Sequence, residues 1–154
     1  MKFVLLDRII SIDVPKRIVA TKSLSLAEEY LADHFPTFPV LPGVLLLQGI
    51  IETASWLVRE TQDFANSMVL LETARNVKYK SFLAPGSQIE YSVVAKSIED
   101  KVSSFRGFGS VQGEQIVEAR ISLRHFNLAD RQPEMADIDC QVVESLKERW
   151  KLLR

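Results

Sequence analysis

The run His34-Phe35-Pro36-Thr37-Phe38-Pro39-Val40-Leu41-Pro42-Gly43-Val44 puts an imidazole in a loop with three prolines, directly ahead of a long apolar stretch. Each proline fixes φ and removes a backbone donor, so such a loop keeps one shape at low entropic cost. Pro42-Gly43 reads as the start of a helix, whose first N–H groups are free and attract developing negative charge. A base held beside those donors suits abstraction of a proton next to a carbonyl. Further along the apolar stretch, Gln48, Glu52 and Ser55 recur at i, i+4 and i+7, one polar stripe on a greasy helix. Two readings of that stripe stand. It is a hydrogen-bonded seam across a helix pair, because buried polar groups must be paired. Alternatively, Glu52 is a proton donor, its carboxyl kept protonated by burial.

The surrounding pattern must position these groups. Arg8 to Asp13 and Arg17 to Leu26 are rich in β-branched residues and alternate, and Val14-Pro15-Lys16 between them reads as a hairpin turn. Leu26 to Asp33 is expected to form a short helix with Ser25 as its N-cap and Glu28 in a capping-box position. Val44 to Glu60 is apolar nearly all round, so its helix belongs in the middle of the fold. Four extended segments follow, about 68–77, 88–99, 103–112 and 115–126. Pro85-Gly86, Glu99-Asp100 and Gln112-Gly113 mark the breaks. Strands, one buried helix and then a run of antiparallel strands make an α+β arrangement, a sheet wrapped on a helix. In the tail, Ile138, Val142, Leu146, Trp150 and Leu153 line one face of an amphipathic helix. The expected division is a compact domain over 1–130 and a helical extension over 131–154.

At 154 residues the chain can bury a core of its own. Its 19 basic and 20 acidic residues leave a net charge of −1, giving no electrostatic case for nucleic acid or an anionic membrane. Cys140 is the only cysteine, which excludes an internal disulfide and a cysteine-based metal site. A reducing, cytoplasmic setting fits. The apolar start is cut short at Asp7, unlike a signal peptide, and Gln48, Glu52 and Thr53 interrupt the most apolar stretch, so no membrane span is expected. His34 and His125 lie too far apart in sequence to form a recognisable metal site, and His125 reads as structural. No metal and no cofactor are implied.

Taken together, the residues 3–127 resemble the 3-hydroxyacyl-acyl carrier protein dehydratases of fatty acid synthesis, the hotdog-fold enzymes. The likeness runs from Phe3-Val4-Leu5-Leu6-Asp7-Arg8 through the histidine loop and the central helix. It continues through Tyr79-Lys80-Ser81-Phe82-Leu83-Ala84-Pro85-Gly86-Ser87 to Ala119-Arg120. The resemblance implies a hotdog domain and reversible dehydration of a 3-hydroxyacyl thioester to the trans-2-enoyl thioester. It makes His34 the base at C2 and Gly43 the amide that binds the thioester carbonyl, with the histidine from one protomer of a homodimer and the acid from the other. Val44, Phe35, Tyr79 and Phe82 would then line the acyl site.

Two positions depart from the family pattern. The catalytic acid belongs fourteen residues after the histidine, where this chain has Gln48, and Glu52 stands where the family usually has a glutamine. Thr37 occupies a loop position commonly held by glycine. The expected machinery is therefore His34 with Glu52, or a water held by Gln48, as proton donor. The rival expectation is a weak or inactive acyl-binding scaffold that partners an active paralogue. The implied partner is acyl carrier protein, docking on Lys78 and Lys80, and the assembly a homodimer or a trimer of dimers.

Overall fold

The computed structural model describes residues 3–154. β1 (Arg8–Asp13) and β2 (Arg17–Ser23) form the expected hairpin, and β2 is buried through its whole middle. The helix expected from Leu26 starts later: α1 covers only Tyr30–Asp33. Ser25 accepts a bond from the Ala27 amide at 3.1 Å, closing a turn, and Glu28 does not cap the helix. Instead its carboxylate pairs with buried Lys22 at 2.8 Å, where Asp7 also approaches the ammonium at 3.4 Å. A buried cation must be paired, and this demand outweighs the local capping preference.

α2 (Gly43–Thr61) is the central helix. β3 (Met68–Tyr79), β4 (Gln88–Ile98), β5 (Val102–Val111) and β6 (Glu114–Phe126) complete one antiparallel sheet of order β1-β2-β4-β5-β6-β3. α3 (Ala136–Leu153) closes the chain after two 3₁₀ turns. The sheet curls over one side of α2, burying Leu46, Ile50, Ala54, Trp56, Leu57 and Val58 against Ile18, Tyr91, Phe105, Val117 and Leu123. Two glycines set how closely the layers meet. A Cβ on Gly49 would lie 2.2 Å from the Tyr91 ring, and one on Gly107 2.2 Å from Ile50 Cγ2.

His125 is fully buried at the end of β6, as its structural reading requires. Its Nδ1–H donates to the Asp100 carbonyl at 3.3 Å, so Nε2 accepts from the Ser103 hydroxyl at 2.9 Å. Burial lowers its pKa, against the pull of Asp100. The tail helix forms where expected, but its apolar stripe packs only in its C-terminal half. Trp150 and Leu153 are buried while Ile138 stays exposed. At the other end buried Asp139 takes over: its carboxylate accepts from the Leu128 and Ala129 amides, each at 2.9 Å, and from the Ser67 hydroxyl. No helix among the described residues is long and apolar enough to cross a membrane.

Gly49→Ala is expected to destabilise the fold by about 1–3 kcal/mol, the usual cost of overpacking a filled core. Urea denaturation of the variant against wild type measures it.

Candidate active site

The histidine loop is built by its own turn. Phe35 takes a left-handed backbone, φ 48, and the Phe38 amide bonds back to the Phe35 carbonyl at 2.8 Å. A bulky residue rarely adopts that conformation, and such strain gathers at functional sites. The positive φ falls on Phe35, and Thr37, at the position commonly held by glycine, does not adopt one. At the loop's end Leu41 is tied to Leu83 through its amide at 2.9 Å, and the Pro42 carbonyl accepts the Leu45 amide at 2.9 Å. Pro42 caps a helix whose first residue is Gly43, leaving the Gly43 and Val44 amides without acceptors within the helix.

These elements enclose a cleft of about 290 Å³ lined by His34, Phe35, Gly43, Tyr79 and Phe82, with Ser81 and Leu46. Five residues named from sequence therefore meet in one place. The Tyr79 ring packs on Gly43, where a Cβ would come within 3.3 Å of it, and Phe82 meets Phe38 edge to face. Val44 points away from the cleft into the open, at 70% exposure.

Gln48 and Glu52 line a different cleft. It measures about 260 Å³ and lies between α2, β3 and α3, with Ser55, Trp56 and Arg59 along its α2 wall. Among the described residues, none borders both clefts in one chain. Gln48 is exposed, and the Ser55 hydroxyl donates to the Ile51 carbonyl at 2.8 Å. Glu52 accepts from Arg149 Nη2 at 2.7 Å. Burial raises the Glu52 carboxyl above its ordinary value, while Arg149 and Arg59 pull it back. The stripe is thus half of a seam, and its partner helix is α3.

Sequence reasoning missed Arg59 and Arg149. Arg59 continues the stripe at i+7 from Glu52, so periodicity along α2 would have found it. Arg149 arrives from 97 residues away, and no local pattern announces that contact.

Lys78 and Lys80 do sit on an exposed positive patch. With Arg106 they surround Glu118 at 3.6, 3.6 and 3.8 Å. Burial alone would raise the Glu118 carboxyl, but Lys80, Lys78 and Arg106 together hold it below the usual range. Arg120 and Asn76 border the same hollow.

The model of the FabA-like domain family matches residues 1–120, and the chain belongs to that family. It is 32% identical over 123 residues to the 3-hydroxyacyl-[acyl-carrier-protein] dehydratase FabZ of Aromatoleum aromaticum, covering 78% of this chain and 85% of the relative. The FabZ dehydratase of Wolbachia pipientis wMel is 32% identical over 120 residues, with 78% and 84% covered. Among solved structures, the dehydratase heterocomplex ApeI:P of Xenorhabdus doucetiae superposes with a TM-score of 0.70 at 19% identity, over 86% of this chain and 90% of that one. The fold is therefore the hotdog fold, with α3 lying beyond the residues of the family match.

Arg149→Ala removes the stronger of the two cations holding Glu52. The Glu52 carboxyl is expected to titrate at higher pH than in wild type, read from its carboxyl carbon by NMR across a pH series.

Proposed function

We propose that this protein is a 3-hydroxyacyl-acyl carrier protein dehydratase, a cytoplasmic lyase of fatty acid or related lipid synthesis. The observation that carries the reading is the cleft in which His34 faces the free amide end of α2, in a chain of the FabA-like family. His34 takes the proton from C2 of the bound thioester. The Gly43 amide holds the thioester carbonyl, which gains charge as that proton leaves. The C3–oxygen bond then breaks, the 3-hydroxyl departs as water, and a trans-2-enoyl thioester remains.

The leaving hydroxyl needs a proton, and an amide cannot supply one. Glu52 is a poor candidate. It lies one helical turn, about 5.4 Å, beyond Gln48, and its carboxylate is held by Arg149. We assign the step to a water held by Gln48. It protonates the departing hydroxyl, and the His34 imidazolium returns the C2 proton to the hydroxide left behind. This relay is weaker than a fixed carboxylic acid, which typically contributes 10²–10⁴-fold.

The site is shared between two copies. The His34 cleft and the Gln48 cleft border no common residue in one chain, which fits a histidine from one protomer meeting the partner's helix. β3 supports that assembly: it is a 12-residue edge strand, exposed over most of its length, with Leu70 and Leu71 at 46% and 41% exposure. Its unpaired main-chain groups and the adjacent leucines offer a second copy a surface to pair with, although Glu72, Arg75 and Lys78 make the rest of the edge polar. Lys78, Lys80 and Arg106 beside the cleft give an acidic acyl carrier protein its landing place, and residues 131–154 form an extension packed on the hotdog domain.

Incubation with a 3-hydroxyacyl carrier-protein substrate should produce enoyl absorbance, lost in His34→Ala. Equal rates for the two proteins would remove the reading. Gln48→Glu is expected to raise the rate by roughly ten-fold or more, toward the range of a positioned general acid.

A further inference from the structure

The cleft beyond Gln48 contains a cation that feels the charge of Glu52 without being bonded to it. Among the described residues the Arg59 guanidinium makes no hydrogen bond or ion pair, and its Nε is buried without a partner. The Trp56 ring lies under it, 5.4 Å from Cζ to the ring centre. A ring below satisfies one face of a guanidinium and leaves the in-plane N–H donors unused. Arg149 on the opposite wall is already committed to Glu52. Two cations against one carboxylate leave the cleft with an excess positive charge. Desolvation is felt there, since burial brings the Arg59 pKa down to about 10.

Apart from Ser55, whose hydroxyl is spent on the Ile51 carbonyl, the rest of the lining is apolar: Ile51, Val69, Leu70, Leu71 and Leu146. Gln48 stands at one end of the α2 wall and Arg59 eleven residues on, about 16 Å along the axis. Such a cleft fits a chain that is hydrocarbon along its length and carries an acceptor at its tip. The α3 side of the wall, Leu146 and Arg149, lies outside the residues matched by the family model, so this end of the cleft is furnished by the extension.

We propose that this cleft receives the far end of the acyl chain and that Arg59 donates to an oxygen carried there, so that the preferred substrate ends in a hydroxyl or carboxylate and not in a methyl group. The proposal rests on the dehydratase reading for the identity of the acyl chain. Arg59 is half-buried, its Nε–H is buried with no acceptor, and a terminal oxygen supplies one. A methyl end leaves that N–H without an acceptor.

The test compares 3-hydroxyacyl-pantetheine thioesters of about eight to fourteen carbons, a length series spanning the helix distance above, ending in methyl, hydroxyl or carboxylate. Binding is read from tryptophan fluorescence, because the chain's two tryptophans, Trp56 and Trp150, stack on each other at this cleft. Turnover is read from enoyl absorbance. At the best length an oxygen-ended chain is expected to bind, and to react by kcat/KM, about ten-fold or more better than its methyl counterpart. Arg59→Met should bring that ratio close to one, and Arg59→Lys should fall between. Equal or better use of methyl-ended chains at every length, or a preference that survives in Arg59→Met, overturns the proposal. Turnover without preference defeats this inference alone. Preference in binding without turnover defeats the dehydratase reading and leaves the cleft assignment standing.

Discussion

Close contact between α2 and the curled sheet is the constraint on which everything else depends. Gly49 admits the Tyr91 ring and Gly107 admits Ile50, so the helix lies against the strands with no Cβ between them. That depth fixes where Gly43 emerges and therefore where its free amide points. It also forces the other flank of the helix outward, so that Gln48 and Val44 are exposed while Ile50 and Leu57 are sealed. One helix thus serves as core on one flank and as site on the other.

The central helix, the strand order of types and the histidine loop were legible because each rests on local chemistry. Periodicity gave α2 within a residue and the presence of the tail helix, and Pro-Gly and Gln-Gly breaks gave the strand ends. The misplaced start of α1 has a different origin. Glu28 looked like a capping residue, yet Lys22 is buried beside it and its charge takes priority. Ile138 shows the same limit at the chain end. Its spacing is right for the apolar stripe, but it stays exposed, and this end of the helix is anchored by its neighbour Asp139, which bonds two amides and a hydroxyl.

Of the candidate site, the His34 cleft was readable because its parts are close in sequence or carried by a recognisable stretch. The Gln48–Glu52 stripe was readable as a stripe but not as a seam. Its partner, Arg149, belongs to a helix whose docking depends on Trp150 stacking over Trp56 at 5.4 Å. Long-range pairing of this sort depends on where an amphipathic helix lands, and amphipathicity specifies only that it must land somewhere.

The attachment of α3 has a dynamic consequence. It is held by side chains alone: a carboxylate clip at Asp139, the tryptophan stack and the Arg149 pair, with Arg154 reaching Glu60 at 3.8 Å. Among the described residues no ladder of main-chain bonds joins it to the sheet, whose strands pair with one another. The helix is therefore free to lift away as a cooperative unit while the six strands stay zipped. Its lifetime on the surface, and not the global unfolding free energy, sets how long the wall it lends to α2 and β3 stays in place.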